Sequence, residues 1–345
     1  MSDMTNEIRS KIKGCLMGGA LGDALGYEVE FLPWPMIQAE YGEKGIQQLV
    51  RHDGWARFSD DTQMTLFTCE GIALGLQRRA MTLEASVYQS YLCWLQTQYP
   101  SRRKSMWAEH SQLLKIPQLH AARAPGNTCL SALESGEMGT LDEPINHSKG
   151  CGGVMRAAPM GFLPFGSTAL ENGAACAAIT HGHPGGWAPA GMLADLVQRC
   201  LYGNPEPLEI KITASLQAVR EKWTFPAVEN FAQMVGKAIE LSRTDQPEPE
   251  AIHSIGGGWV GDECMAIAVY SCLKHPDDVK AALICAVNHS GDSDSTGSVA
   301  GNILGAYHGY DKLPKDWISQ LECTDVIAQQ AQNIADRISE YQQGI

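Results

Sequence analysis

Lysine and arginine are scarce in this sequence: 26 stand against 39 aspartates and glutamates in 345 residues, a formal net charge of −13. Non-specific grip on a nucleic-acid backbone needs clustered cations, so that class of function is excluded. Long apolar runs are also missing. The nearest candidate, Gly14 to Gly22 behind Lys11 and Lys13, is glycine-rich, stopped by Asp23 and well short of the roughly 20 residues that span a bilayer, so neither a membrane span nor a targeting segment is expected. The eleven cysteines form no Cys-x-x-Cys pair and no metal-finger spacing. They read as small apolar core residues in a reducing compartment, the cytoplasm. Alternating Val, Ile and Thr runs are nearly absent, and Ile46 to Val50 is too isolated to build a sheet. No fixed-period repeat or low-complexity tract appears.

What the chain has is helical periodicity. Apolar residues recur at three and four positions over 5–26, 61–78, 83–98, 167–181, 186–202, 227–243, 261–273, 277–288, 296–307 and 323–342, so the expected fold is all-α. Proline and glycine punctuate the connections, as in Phe31-Leu-Pro-Trp-Pro35, Gly203-Asn-Pro-Glu-Pro207 and Gln246-Pro-Glu-Pro249. The last could link two domains, but it reads as a surface loop, and the chain as one domain over 1–345, because the acidic clusters on either side of it must meet if they form one site. Residues 31–58 read as a loop bordering that site. The first helix carries Gly14, Gly18, Gly22 and Gly26, a bare stripe that lets another backbone approach.

Those acidic clusters are Ser59-Asp60-Asp61-Thr62 and His289-Ser-Gly-Asp292-Ser-Asp294-Ser-Thr296-Gly297. Each also reads as a helix start, with a capping residue and acids in the first turn. Together they supply four carboxylates with hydroxyl oxygens, a ligand set for hard divalent cations whose charge two such ions would balance. The second cluster is not an EF-hand: counting from Asp292, the position needing a bidentate acid falls on Ile303. Asp23 and Glu30, taken alone, read as surface acids. His181 and His183 stand two apart, which is not a spacing for two ligands on one helical face. Ser148 to Arg156 lacks the Gly-Lys-Ser/Thr ending of a nucleotide P-loop.

Taken in order, Gly22-Asp23-Ala-Leu-Gly26 with Glu30, Ser59 to Thr62, Gly126-Asn-Thr128, Lys149-Gly-Cys-Gly-Gly-Val-Met-Arg156, Thr180-His181 and Gly291-Asp-Ser-Asp-Ser295 resemble the ADP-ribosylglycohydrolase family from about residue 10 to 310. The resemblance implies an all-α domain with two Mg2+ or Mn2+ ions in a cleft for ADP-ribose. It implies metal ligation by Ser59, Asp60, Asp61, Asp292, Asp294 and Ser295, with Ser where the family commonly has Thr. Glu30 matches the family's glutamate near the scissile ribose, and Asp61 is placed second as a catalytic acid. Lys149, Gly150, Cys151, Gly152, Gly153 and Met155 would form the loop against phosphates and ribose. Cys151 stands where many relatives have Asn, so the loop backbone is implicated more firmly than this side chain. His181 becomes a pocket residue, and Trp259 could stack on adenine. The implied partner is a mono-ADP-ribosylated protein, arginine-linked first, with an ADP-ribosyltransferase toxin as a further candidate if the role is immunity. Two alternatives stay open: a non-catalytic module binding ADP-ribose or a transferase, and a hydrolase of a small ADP-ribose ester.

Overall fold

Helices form where the periodicity places them. The computed structural model of the protein describes residues 4–99, 103–164 and 168–344 and shows fifteen α-helices there. In chain order they are α1 (Asn6–Gly26), α2 (Trp34–Tyr41), α3 (Asp60–Arg78), α4 (Leu83–Gln98), α5 (Asn127–Ser135), α6 (Ala169–Ala178), α7 (Pro184–Tyr202) and α8 (Leu208–Lys222). The chain continues through α9 (Pro226–Ser242), α10 (Glu248–Ile255), α11 (Gly261–Lys274), α12 (Val279–Val287), α13 (Ser293–His308), α14 (Lys315–Ile318) and α15 (Thr324–Gln343). Each of the ten segments read as helix overlaps one, with bounds that differ by up to about three residues, although residue 167, where one was expected to begin, lies outside the described residues. Among the described residues there is no strand, only isolated bridges.

Of the five helices not anticipated, α2, α5, α8, α10 and α14, three begin where proline suggested only a loop. Pro33, Pro207 and Pro247 are the N-caps of α2, α8 and α10. Proline fixes an extended entry and has no N–H to leave unsatisfied, so it starts a helix as readily as it marks a turn. The 31–58 segment is therefore not all loop, because it contains α2, and the 246–249 connection is also the first turn of α10.

One helix pair sets the geometry of the site. The α1 glycines meet α13 backbone in antiparallel order: a Cβ added at Gly14, Gly18, Gly22 or Gly26 would lie 2.4, 2.4, 2.0 or 2.2 Å from the carbonyl oxygen of Gly305, Gly301, Gly297 or Ser293. The approach is reciprocal, since a Cβ on Gly297 would fall 2.4 Å from Gly22 O. Asn302, fully enclosed, donates to Cys15 O at 2.9 Å and pins the register. Two helices this close bring the C-terminal end of α1, with Glu30 just beyond it, to the N-terminal end of α13, where Asp292 and Asp294 stand. The start of α3 joins them because Asp23, buried on α1, accepts from Ser59 N (2.8 Å), Thr62 N (2.9 Å) and Thr62 Oγ1 (2.5 Å). Around this junction the core is continuous, with Tyr91, Trp94, Tyr270 and Trp317 fully buried. Nine of the eleven cysteines are buried too and all are free, as the absence of paired spacings led us to expect.

Candidate active site

Three chain segments that begin or end helices converge on a cavity of about 290 Å³. Its walls include Glu30, Asp60, Asp61, Asp292, Asp294 and Ser295 on one side and Gly150, Cys151, Gly152, Met155, His181 and Trp259 elsewhere. The two acidic clusters, separated by more than 200 residues of sequence, thus face one space.

Local backbone chemistry aims each acid. Ser59 caps α3 by accepting from Asp61 N at 3.2 Å, while Asp60 accepts from Gly126 N at 3.3 Å and so ties α3 to the start of α5. Asp292 caps α13, and Ser295 N donates to Asp294 Oδ1 at 2.9 Å. At Asp292 cap and site are therefore the same residue, while at α3 the cap is Ser59 and the acids that follow it face the cavity. The loop before α13 is held by Asp292 N donating to Gly257 O at 2.8 Å, and any side chain at Gly291 would strike that same carbonyl at 1.9 Å.

The opposite wall is the glycine loop. Gly150 bridges Val260, and Cys151 N donates to Trp259 O at 3.2 Å, so the loop is strapped to the lead-in of α11. A Cβ on Gly152 would come within 2.9 Å of Cys129 Sγ and 3.1 Å of the His181 ring, so only glycine lets this backbone seat against His181. The Cys151 thiol donates to Asp292 Oδ2 at 2.7 Å, and burial, followed by the charge of Asp292, pushes its pKa well up. A thiol held protonated by a carboxylate is a poor nucleophile.

Charge in the cleft is one-sided. Burial, then the neighbouring carboxylates, raises Glu30 to about 10. The same causes lift Asp60, Asp61 and Asp294 well above the usual carboxylate range, and Asp23 to about 7. Burial raises Asp292 as well. One oxygen of Glu30 and one of Asp61 are buried without a hydrogen-bond partner, and carboxylate oxygens of Glu30, Asp292 and Asp294 lie within 4.8 Å of one another. Crowded, desolvated, partly unsatisfied carboxylates are what a hard divalent cation relieves, so the residues present fit such an ion.

Three of the residues expected at the site do not line the cavity. Ser59 is buried behind it as a cap, Gly153 packs against Ala177, and the Lys149 ammonium is half-exposed at 3.9 Å from Asp262. His183 caps α7, accepting from Gly185 N at 3.0 Å. The structure adds residues that the sequence did not flag. Phe31, in a left-handed conformation (φ 67°), stacks on Trp259 with ring centroids 5.3 Å apart, and Arg123-Ala124-Pro125 forms the rim beside Asp60. Arg156 is fully buried beneath the cleft, donating to Thr180 Oγ1 at 2.6 Å with its guanidinium 4.3 Å above the Tyr91 ring. Burial, then this cation, depresses His181 to about 3, so the imidazole is neutral at working pH. Only Arg156 lay within a motif, and nothing in its letters announced a buried charge without a carboxylate partner.

The chain is similar along its length to several known proteins. A relative from Rhodospirillum rubrum, ADP-ribosyl-[dinitrogen reductase] glycohydrolase, is 28% identical over 91% of each chain. The ADP-ribosylarginine hydrolase Tri1 of Serratia proteamaculans is 24% identical over 96% of this chain and 80% of its own, and the ADP-ribosylhydrolase ARH3 of Danio rerio 23% over 95% and 90%. A solved structure described as an ADP-ribosylglycohydrolase-related protein complex shares the fold, with a TM-score of 0.63 at 21% identity, covering 96% of this chain and 99% of that one. The sequence profile of the ADP-ribosylglycohydrolase family matches residues 4–344. With that match running almost end to end, the chain belongs to the ADP-ribosylglycohydrolase family and is a hydrolase of ADP-ribose linkages.

Proposed function

We propose that this hydrolase is metal-dependent and removes mono-ADP-ribose from a modified protein side chain, arginine-linked, so reversing an ADP-ribosyltransferase. The observation that carries the reading is the placement of the Glu30 carboxyl, with its unpartnered oxygen, among Asp292 and Asp294 in a cleft whose far wall is glycine backbone and an aromatic ring. Asp60, Asp61, Asp292 and Asp294, with the hydroxyl of Ser295, would hold two Mg2+ or Mn2+ ions, and Ser59 would position Asp61 from behind as the α3 cap. Bound there, the ions supply charge balance and orient ribose hydroxyls.

The remaining chemistry is the chain's own. Cleavage at C1 of the ribose passes through an oxocarbenium-like state, which the ring of carboxylates stabilises electrostatically. Glu30 gives a proton to the leaving nitrogen and, once ionised, takes one from the attacking water. The backbone of Gly150 to Gly153 allows close approach of the diphosphate, and Trp259, already exposed and stacked on Phe31, offers its face to adenine. The name of the Serratia relative supports arginine as the linkage.

The test is incubation with Mg2+ and an arginine-ADP-ribosylated protein, following intact mass and released ADP-ribose, beside Glu30→Ala and Asp60→Asn. Loss of the modification in the parent protein and its persistence with both variants is the expected result. Turnover confined to serine-linked or ester-linked substrates would move the linkage. ADP-ribose binding without turnover of any of the three would make the protein a binding module.

A further inference from the structure

A second cluster of ligand-type side chains lies away from the cleft. Glu248 stands in the first turn of α10, His275 caps the C-terminal end of α11 and Cys285 sits within α12. One carboxylate oxygen, one imidazole nitrogen and the thiol sulfur all lie within 4.8 Å of one another, with His275 Nε2 2.7 Å from Glu248 Oε1. All three line a cavity of about 380 Å³ that also reaches Trp34, Lys44 and Asn288. Beside them, the Tyr270 hydroxyl is fully buried and has no hydrogen-bond partner. It lies within electrostatic reach of both Cys285 and Glu248, which, after burial, raise its pKa.

We propose that Glu248, His275 and Cys285 form a second metal site, for a zinc-class cation, with its fourth position open to the adjoining cavity. The donor set decides the class. The cleft offers carboxylate and hydroxyl oxygens and suits Mg2+ or Mn2+, whereas sulfur, imidazole nitrogen and one carboxylate suit Zn2+ and its neighbours. Charge balances as well: a thiolate and a carboxylate offset the 2+ ion, and the thiol proton passes to solvent as the metal binds. The cavity gives the ion an entry path to an otherwise buried sulfur. Three protein ligands with a solvent-facing fourth position is the coordination of an exchangeable zinc, in contrast to the closed four-ligand structural kind. Such an ion would tie α10, α11 and α12 together, and α12 runs through Asn288 directly into the loop bearing Asp292.

The experiment uses the full chain with excess Mg2+ to occupy the carboxylate cleft, and titrates Zn2+ and then Co2+ as the probe. One equivalent of Zn2+ should bind, and Co2+ should give a thiolate-to-metal charge-transfer band. Cys285→Ser and His275→Gln should abolish the band and weaken binding by more than about tenfold, since even outer-shell partners of metal ligands are worth about 10–100-fold. Cys151→Ala, which removes the thiol beside the cleft acids, should leave both unchanged. His275 is partly exposed, so its variant answers the question even if Cys285→Ser disturbs the core. A wild-type protein without the band, a band that survives in both Cys285→Ser and His275→Gln, or one that disappears in Cys151→Ala would overturn the site.

Discussion

At the scale of single residues, Glu30 and Trp259 divide chemistry from binding. Glutamine at position 30 keeps the shape of the side chain but can neither give nor take the proton, so Glu30→Gln should lower kcat by about 10²–10⁴-fold while leaving ADP-ribose affinity within a few-fold. Single-turnover kinetics beside calorimetric titration of ADP-ribose checks this; equal losses in both would make Glu30 a binding residue. Trp259→Ala should do the opposite, raising KM by about tenfold or more at nearly constant kcat, the scale of one lost base–aromatic stack. The acids were legible because paired aspartates at helix starts are chemically conspicuous. Glu30 was not legible from its own surroundings, where it read as a surface acid, and gained a role only through the family resemblance. Phe31 and Arg156 escaped for a different reason: a left-handed aromatic and a buried guanidinium owe their meaning to neighbours more than 200 and about 25–65 residues away, Trp259 for one and Thr180 and Tyr91 for the other. No local pattern encodes such pairings.

At the scale of elements, the decisive feature is the glycine seam between α1 and α13, and its consequences differ from those of an ordinary helical glycine. Gly22→Ala would put a methyl carbon 2.0 Å from Gly297 O, a contact with backbone that no rotamer can relieve. The helices must part, carrying Glu30 away from Asp294, so this substitution should destabilise by about 3 kcal/mol or more, at or above the usual range for overpacking. Gly236 in α9 is the control, with nothing within 4 Å of an added Cβ. There alanine should stabilise by about 0.5–1 kcal/mol through helix propensity alone. Urea unfolding midpoints separate the two, and similar shifts for both would mean that α1 and α13 are not packed on their backbones. The four-residue glycine spacing announced a close approach, yet α13's own Gly297, Gly301 and Gly305 complete it, and the pairing of the two stripes needed the fold. Helices α2, α8 and α10 are hard to read from sequence because proline marks a loop as readily as it caps the start of a helix.

At the scale of the whole molecule, the chain stores part of its negative charge where water cannot screen it, and folding is thereby linked to pH and to cations. Carboxyls that hold a proton more tightly in the folded protein than in the unfolded chain stabilise the fold below the ordinary carboxylate range. That contribution is lost as pH rises through the folded values, about 7 for Asp23 and about 10 for Glu30. The sign follows from proton counting: across this window the native state binds more protons than the unfolded state, so stability must fall as pH rises. The EDTA-treated protein should therefore melt at a lower temperature at about pH 8 than at about pH 5. Mg2+ competes with those protons for the same oxygens and should raise the melting temperature more at the higher pH. At a hundred times its Kd a single bound ion is worth about 2.7 kcal/mol. Asp294→Asn removes one buried charge from the centre of the cluster, where Asp294 is a leading electrostatic cause of the raised Glu30, Asp60 and Asp61 values. It should flatten the pH dependence of the metal-free protein and shrink the Mg2+ shift together. Calorimetric melting of both proteins, with EDTA and with Mg2+, measures all four quantities. A melting temperature that rises with pH in EDTA, or a Mg2+ shift unchanged by Asp294→Asn, would show that the carboxylate cluster is not where cation and fold are coupled.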